Sequence, residues 1–236
     1  MARVLLEKGP THGRDFFMRA LAQLHMSHSE LVEAKSVART AVKSALKSLT
    51  RTHKAQESSA ICSAVTSSPW FKQCKNLGVY VHCDRLNEVD TSPIIQEALA
   101  TGKTCFVPIV GSGPREMNLV QIESLSDLRP VPPFNILEPE ATHPDSSSRQ
   151  DSLDVDGGLD VLVMPGLAFD RSKNRLGRGG GYYDAFVSRT LETAKSKGWS
   201  PPVLVALAFK CQLQDSIPMG VDDRRVDLLA TQDGLF

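Results

Sequence analysis

The sequence lacks an excess of charge of either sign. Its 236 residues contain 27 Lys plus Arg and 27 Asp plus Glu, so the formal net charge is zero. A protein that binds nucleic acid or an anionic membrane normally has a basic excess, so we expect neither partner. No apolar run approaches the roughly 18 residues that suggest a membrane span. The balance remains compatible with one small anion in a local basic pocket.

Cysteine is scarce and shows no pairing pattern. The sequence contains five cysteines, an odd number, and no two of them have the Cys-x-x-Cys spacing: Cys62, Cys74, Cys83, Cys105 and Cys211. This pattern argues against a disulfide framework and against a structural zinc site. We expect reduced, mostly buried thiols in an intracellular protein, located in the cytoplasm or the mitochondrial matrix.

The first 28 residues carry the weakest structural pattern. They contain no secretory apolar segment, and residues 16–24 fit only a short amphipathic helix. A transit peptide is the alternative, but acidic residues are present and serines are few. We favour a poorly ordered extension over residues 1–28, followed by a single domain over residues 29–236.

From Ser29 onward, helical and strand-like segments alternate. Ser29 suits the N-cap of a helix that continues to Leu49. A basic ridge follows at four-residue steps, and such a ridge is most often a solvated face: Lys35, Arg39, Lys43 and Lys47. Further helices are expected at residues 55–67, 92–100 and 182–197. Strands are expected at residues 77–81, 104–107, 117–122, 160–164, 203–209 and 226–231. Residues 139–158 predict a long polar loop, and the alternation predicts an α/β fold with a mainly parallel sheet.

One stretch, from Met164 to Asp184, has the composition of an anion-binding loop. It joins a strand to a helix and is rich in cations and glycines: Arg171, Lys173, Arg175, Arg178, Gly177, Gly179, Gly180 and Gly181. Glycines allow backbone N–H groups to converge, and the helix N-terminus adds positive potential. This chemistry suits a polyphosphate, although a glycine-rich surface loop with solvated arginines is the alternative. The spacing does not match a dinucleotide fingerprint.

Carboxylates follow this loop at two places. Asp184, in the first helical turn, either favours the helix dipole or binds Mg²⁺ beside a polyphosphate. Asp222, Asp223 and Asp227 lie in a later segment with Arg224 and Arg225. That segment either pairs internally or supplies a second carboxylate to the metal, and the residues alone leave both possibilities open.

The stretch from Pro165 to Asp184 resembles the signature of the 5-formyltetrahydrofolate cyclo-ligases, also called methenyltetrahydrofolate synthetases. That signature is Pro-Gly-(Leu/Val)-Ala-Phe-Asp, then Arg-Leu-Gly-(Arg/Tyr)-Gly-(Gly/Lys)-Gly-Tyr-Tyr-Asp, and the match is nearly complete. Supporting matches extend from about Ala34 to Leu229 and include Lys35-x-x-x-Arg39, Glu88-Val89-Asp90-Thr91, residues 206–210 and Asp223-x-x-x-Asp227. The resemblance implies a three-layer α/β fold whose mainly parallel sheet is flanked by helices, as in sugar-phosphate isomerases and CoA-transferases.

The resemblance also implies an activity. It is the ATP- and Mg²⁺-dependent cyclisation of 5-formyltetrahydrofolate, with or without a polyglutamate tail, to 5,10-methenyltetrahydrofolate, with release of ADP and phosphate. Phosphorylation makes the formyl oxygen a good leaving group, and a neighbouring folate nitrogen attacks the formyl carbon. Such chemistry needs positioning and charge neutralisation more than a nucleophile and base. We expect a monomeric enzyme of one-carbon metabolism.

Residue roles follow from the same resemblance. The implied ATP contacts are Lys35, Arg39, Arg175, Leu176, Gly177, Arg178, Gly179, Gly180, Gly181, Tyr182 and Tyr183. The implied folate contacts are Val81, Glu88, Met117, Arg178, Gly179, Gly180, Gly181 and Tyr182, with Glu88 on the pterin edge. The implied metal ligands are Asp184 and Asp223. Arg178 and Lys210 are implied as catalytic residues beside the phosphates.

The chain departs from the family pattern at two places, and two other functions compete with the implied one. The loop between Val81 and Glu88 is two residues longer than in animal relatives, and Ile109 stands where some relatives have an arginine. One competing function is that of a non-catalytic relative binding nucleotide or RNA, but Asp184 and Asp223 are present and no second module fits. The other, a sugar-phosphate isomerase, rests on fold analogy alone.

Overall fold

The computed structural model describes residues 27–132 and 135–236, so most of the predicted N-terminal extension lies outside the described residues. Helix α1 spans His28–Ser48. Its N-cap is Ser27, and the prediction of Ser29 is wrong. The Ser27 hydroxyl accepts a hydrogen bond from the Glu30 N–H (3.3 Å), and the Glu30 carboxylate accepts one from the Ser27 N–H (2.7 Å). This reciprocal capping box starts the helix two positions earlier.

The remaining elements alternate as predicted. The helices are α2 (Arg51–Ser67), α3 (Pro69–Gln73), α4 (Ser92–Ala100) and α5 (Tyr182–Lys197). The strands are β1 (Asn76–Val79), β2 (Thr104–Val110), β3 (Met117–Ile122), β4 (Leu128–Val131), β5 (Ile136–Pro139), β6 (Val161–Met164), β7 (Ala168–Asp170), β8 (Arg175–Leu176), β9 (Val203–Leu207), β10 (Leu213–Gln214), β11 (Leu228–Thr231) and β12 (Gly234–Leu235). The predicted bounds of α4 and α5 are confirmed, whereas α2 begins earlier because Thr50 caps it.

Seven strands form one sheet in the order β12-β11-β9-β6-β1-β2-β3. The inner strands pair in parallel, and the edge strands β3 and β12 pair antiparallel with their neighbours. The predicted α/β class with a mainly parallel sheet is therefore confirmed. Smaller sheets join β10-β7-β8 and β4-β5. The β4–β5 hairpin, the short strands β7, β8, β10 and β12, and the short helix α3 were not predicted.

Helices cover both faces of this sheet. On strand β6, Val161 and Val163 belong to the core cluster that contains Ile61 of α2 and Ile94 of α4. The alternate residues Leu162 and Met164 belong to the cluster that contains Phe186 and Val187 of α5. Because successive side chains point to opposite faces, a strand buried on both sides is continuously apolar, as this one is. The result is the predicted three-layer arrangement.

The cysteines are unpaired thiols that lie mostly in the protein interior. All five cysteines are free, and four of them are buried, as expected. Burial raises the pKa of Cys62, Cys74 and Cys105 to about 12, which disfavours the reactive thiolate. Within residues 27–132 and 135–236, no helix is long and apolar enough to cross a membrane.

A substitution in β1 tests the packing of the central sheet. A Cβ on Gly78 would stand 2.9 Å from Leu119 Cδ2 and 3.0 Å from Leu162 Cδ1. We expect Gly78→Ala to lower the free energy of unfolding by about 1–3 kcal/mol, because three packed leucines must shift. Urea unfolding measures this loss. Gly102→Ala is the contrasting control, since a Cβ there meets no atom within 4 Å and the cost is the positive φ of 73° alone. A fully stable Gly78→Ala protein would contradict this packing.

Candidate active site

A cavity of about 730 Å³ lies beyond the carboxyl ends of β1 and β6. The chain runs from β1 to β2 on one side, whereas β6 lies on the other side of β1. Open α/β sheets bind ligands in the crevice where the strand order reverses in this way. Tyr80 and Val81 follow β1, Pro165 and Gly166 follow β6, and all four line the cavity. The fold thus places a cavity of ligand size at this edge of the sheet.

The outer wall of the cavity comes from the β4–β5 hairpin. Val131, Pro132, Ile136, Leu137 and Glu138 line the cavity. The Glu138 carboxylate accepts a hydrogen bond from the Val110 N–H at the end of β2 (2.9 Å). This bond connects the hairpin to the sheet. The apolar side chains of the hairpin therefore face the cavity. The cavity therefore suits a flat, mostly apolar ligand.

An ion pair between Glu88 and Arg178 supplies polarity on the inner wall. Arg178 Nε lies 3.3 Å from Glu88 Oε1, and the Cys83 N–H donates to Glu88 Oε2 at 3.1 Å. A second Arg178 nitrogen donates to the Leu86 carbonyl. Burial raises the pKa of Glu88, and the nearby Arg178 opposes that shift. The carboxylate is only 9% exposed, so it can accept hydrogen bonds from a ligand inside the cavity.

The glycine-rich loop ends at the start of α5 with its backbone amides available. Gly179 and Gly181 have φ values of +111° and +71°, conformations that favour glycine. Gly181 is the N-cap of α5, and no side chain caps the helix there. The first N–H groups of a helix have no intrahelical partner and carry positive potential. Loop and helix together form a cradle for an oxyanion.

A cation from α1 reaches this loop. Arg39 Nε donates to the Gly177 carbonyl at 2.9 Å, and the Arg39 guanidinium lies 3.7 Å from where a Cβ on Gly179 would stand. Lys35, on the same helix, forms an ion pair with Asp223. Arg39 thus adds positive charge beside the glycines. Two members of the basic ridge are therefore engaged in contacts, while Lys43 and Lys47 are exposed as expected.

The two candidate metal ligands lie on neighbouring segments. Asp184 Oδ1 is 2.6 Å from an Arg175 nitrogen and 3.3 Å from the Arg224 backbone N–H. Because Arg224 follows Asp223 in the chain, the backbone that carries the second carboxylate contacts the first. Asp223 pairs with Lys35 rather than with Arg224 or Arg225.

The donor groups around Asp184 and Asp223 determine whether Mg²⁺ and a polyphosphate fit this site. Within the described part of the chain, no group of three or more His, Cys, Asp or Glu could hold a metal alone. Mg²⁺ is commonly bound by one or two carboxylates together with phosphates and water, which matches two aspartates beside an anion cradle. Buried Nε atoms of Arg175 and Arg224 lack hydrogen-bond partners within the described residues, so an oxyanion has donors to engage. The residues fit Mg²⁺ bound together with a phosphate chain.

A titratable pair lies on the loop beside the cavity. His82 Nδ1 is 3.0 Å from Asp90 Oδ1. The Asp90 carboxylate raises the pKa of His82 against the opposing effect of burial, and His82 lowers the pKa of Asp90 to about 2.

We expect His82→Asn to lower the free energy of unfolding by up to about 1 kcal/mol at pH 5, since Asp90 is partly exposed. The raised His82 pKa contributes stability that is full below pH 6.5 and is lost as pH rises through the folded-state value. At the acid end, the contribution falls as Asp90 protonates below pH 3.8. Urea unfolding of both proteins at pH 5 and pH 9 measures the difference. An equal difference at both pH values would contradict the ion pair.

Most of the predicted site residues meet at the cavity. Its lining includes Val81, Glu88, Met117, Arg175, Gly177, Arg178, Gly180, Gly181, Tyr182, Tyr183 and Asp184. Gly179 belongs to the same loop and lies against Arg39, whereas Lys35 and Asp223 pair with each other, and the cavity lining includes none of these four. Leu176 is a buried core residue whose side chain does not line the cavity.

Lys210 is the predicted residue that the structure does not bring to the site. Its ammonium lies 3.5 Å from Asp233 Oδ2, and its side chain is 65% exposed. Its backbone N–H donates to the Glu57 carboxylate at 2.8 Å. This pairing directs the lysine toward the C-terminal turn and away from the cavity lining, so its role beside the phosphates stays a prediction. The hairpin residues that line the cavity were not predicted, because nothing in their local pattern indicates a ligand.

Fold and site together define the class of this protein. It is a three-layer α/β protein with an apolar cavity at the reversal point of its sheet and a cation-flanked glycine loop at one side. A family model described as the 5-formyltetrahydrofolate cyclo-ligase family matches residues 31–232. The chain belongs to that family, as the sequence resemblance implies.

Individual relatives agree with this assignment. The chain is 40% identical over 212 residues to the Arabidopsis thaliana "5-formyltetrahydrofolate cyclo-ligase, mitochondrial", covering 87% of this chain and 76% of the relative. It is 31% identical over 202 residues to the Mus musculus 5-formyltetrahydrofolate cyclo-ligase, covering 85% and 94%. The NMR structure of Aquifex aeolicus 5,10-methenyltetrahydrofolate synthetase superposes with a TM-score of 0.66 at 29% identity, covering 85% of this chain and 91% of that one. These relatives are named as enzymes.

Proposed function

We propose that this chain catalyses the ATP- and Mg²⁺-dependent cyclisation of 5-formyltetrahydrofolate to 5,10-methenyltetrahydrofolate, with release of ADP and phosphate, in one-carbon metabolism. The observation that supports this proposal is that one segment, Gly177–Asp184, both borders an apolar cavity and contacts a cation from α1. The cavity carries the Glu88–Arg178 pair on its wall. Arg39 donates to the Gly177 carbonyl. The segment therefore offers an apolar space for the folate and positive charge for the phosphates.

In this proposal the cavity binds the folate. Glu88 would accept hydrogen bonds from the donor edge of the pterin, because its buried carboxylate is held in place by the Cys83 N–H and by Arg178. Val81 and Met117 supply apolar walls for the ring. Arg178 would then lie near the formyl oxygen, where its fixed positive charge favours negative charge developing in the transition state.

The phosphates would lie against the glycine loop and the cations around it. Lys35 and Arg39, on one helix, offer positive charge from outside the cavity, and the amides of Gly179–Gly181 offer donors. Bound ATP would supply the phosphoryl group that activates the formyl oxygen, with Mg²⁺ neutralising phosphate charge. Asp184 and Asp223 would hold that ion. Lys35 and Arg175 would have to share these carboxylates with it, since they pair with them in this structure.

Partners and location follow from the same proposal. The substrate is a small folate, and the neutral composition supports no nucleic-acid or membrane partner. We propose a monomer located in the cytoplasm or the mitochondrial matrix. The Arabidopsis thaliana relative carries "mitochondrial" in its name. A fluorescent fusion of the full chain, compared with one lacking residues 1–28, tests the location.

The activity assay is direct. Folded protein is mixed with 5-formyltetrahydrofolate, ATP and Mg²⁺, and the near-ultraviolet absorbance of the methenyl product is followed. We expect absorbance to rise only when all components are present, and to stop when EDTA removes the metal. Absence of an ATP-dependent signal from protein shown to be folded would overturn the enzyme assignment. It would favour the alternative, a non-catalytic relative that binds nucleotide or RNA on the same fold.

A further inference from the structure

We propose that Arg115 is a further substrate-binding residue, whose guanidinium binds an oxyanion of the bound substrates at the mouth of the cavity. The oxyanion is either a phosphoryl oxygen of the phosphate chain or a carboxylate of the folate tail. The inference rests on the proposed function and adds a residue that the sequence resemblance does not assign.

The location of Arg115 is the first argument. It lies in the turn between β2 and β3, where Gly111 before it and Met117 after it both line the cavity. Its Nε and Cδ stand 3.0 Å and 3.2 Å from where a Cβ on Gly181 would be. Gly181 also lines the cavity and is the N-cap of α5. The guanidinium therefore lies over the uncapped end of the helix, at the edge of the proposed site.

Its unused hydrogen-bonding capacity is the second argument. Arg39, Arg175 and Arg178 each donate to a carbonyl or carboxylate of the protein. The exposed Arg115 side chain makes no hydrogen bond or ion pair with the described residues. A guanidinium stays charged at any physiological pH and offers five donors in a planar fork that matches carboxylate and phosphate groups. This cation is thus available to a ligand without breaking an existing pair.

The backbone of the turn is the third argument. Arg115 has a φ of +58°, a conformation that favours glycine or asparagine and is costly for arginine. Neighbouring contacts hold the turn in this shape. The Gly111 N–H donates to the Glu116 carbonyl at 3.0 Å, and the Gly113 N–H donates to the Glu116 carboxylate at 2.8 Å. An arginine kept where glycine would be more stable points to a function of its side chain.

Arg115 and Arg39 flank the same run of glycines. The Arg39 guanidinium stands against Gly179, and the Arg115 side chain stands against Gly181, two residues on. Because α-carbons two residues apart are at most about 7 Å from each other, both cations can act on one group of oxyanions. Arg39 comes from α1, and Arg115 comes from the turn between β2 and β3, whose flanking residues Gly111 and Met117 line the cavity. The proposed reaction requires a phosphate and a folate to meet near these glycines.

The kinetic test uses Arg115→Ala and Arg115→Lys, with Arg51→Ala as a control. Arg51 is an exposed arginine at the start of α2, so its loss changes the net charge equally. We expect Arg115→Ala to raise KM about tenfold or more for one substrate, since a charge-assisted hydrogen bond is lost. An effect on ATP identifies a phosphoryl oxygen, whereas an effect on 5-formyltetrahydrofolate that grows with added glutamates identifies a carboxylate. Unchanged KM values for both substrates would overturn the inference.

A stability test separates binding from structure. Arg115→Gly relieves the positive φ, so we expect its Tm to rise by about 2 °C while its substrate affinity falls. A merely structural arginine would give a lower Tm and intact affinity, which would also overturn the inference. Calorimetric titration of wild type and Arg115→Gly with ATP and with 5-formyltetrahydrofolate works without turnover. Wild-type binding without turnover would defeat the proposed activity alone, whereas failure of wild type to bind either ligand would defeat both proposals.

Discussion

Arg178→Ala should lower kcat by about 10³-fold, because removing a positioned cation from a transferring phosphoryl group has effects of this size or larger. The guanidinium lies between the buried Glu88 carboxylate and the Leu86 carbonyl, on the wall of the cavity. Without it, Glu88 loses the cation that opposes its raised pKa, and it binds a proton more readily. Initial rates from methenyl absorbance, over a range of both substrates, measure kcat and KM.

Two further variants separate catalysis from folding. Arg171→Ala removes an exposed arginine from the same segment and should retain wild-type turnover. The double variant Glu88→Gln/Arg178→Ala removes the unpaired buried charge, so its stability should recover while its turnover stays low. Wild-type kcat in Arg178→Ala would show that the loop does not act as proposed.

Asp184→Asn should raise the half-saturating Mg²⁺ concentration by at least about tenfold, because one of two carboxylates for the ion is lost. The asparagine oxygen can still accept hydrogen bonds from Arg175 and from the Arg224 N–H. The change therefore removes charge with little change in shape. Turnover at limiting Mg²⁺ should fall by about 10²-fold and recover in part at high Mg²⁺. A titration of initial rate against Mg²⁺, at fixed ATP, provides the measurement.

Asp227→Asn is the matched control for the metal role. Asp227 belongs to the same C-terminal segment, but its carboxylate accepts the Leu204 N–H at 2.8 Å and serves the start of β9. The variant should lose stability without a change in Mg²⁺ dependence. If Asp184→Asn kept full activity at low Mg²⁺, or if both variants shifted equally, Asp184 would not be a ligand. Thermal shifts of each protein with Mg²⁺ alone and with Mg·ATP give a second readout.

The order of elements was largely predictable, because apolar periodicity is a local property of the chain. The bounds of α4 and α5 follow from Pro93 near the start of one and Gly198 after the other. The buried strand β6 follows from its continuous apolar run. Starts of helices were less predictable: the choice between Ser27 and Ser29 depends on which hydroxyl finds Glu30 in the correct geometry.

The candidate site was predictable where its residues are contiguous. The run from Arg175 to Asp184 could be found because glycines, cations and a carboxylate lie together between a strand and a helix. Contacts between distant segments left no comparable pattern. The β4–β5 hairpin contains short, partly exposed strands, and its place on the cavity wall involves a contact between distant residues, the bond from Val110 to Glu138. Lys210 shows the reverse case. Its position in the sequence matches the family pattern, but its side chain pairs with Asp233 away from the cavity.

By itself, the sequence determined the fold class, the loop rich in glycines and cations, and the family, because each depends on residues close together in the chain or on an ordered series of such segments. Only the tertiary structure decided which of these segments meet. It brought Lys35 to Asp223, Arg178 to Glu88 and Arg115 to Gly181. Such pairings depend on how strands order in the sheet and on which face each helix covers. Burial of apolar surface sets both of these across the whole chain, so no local pattern contains them.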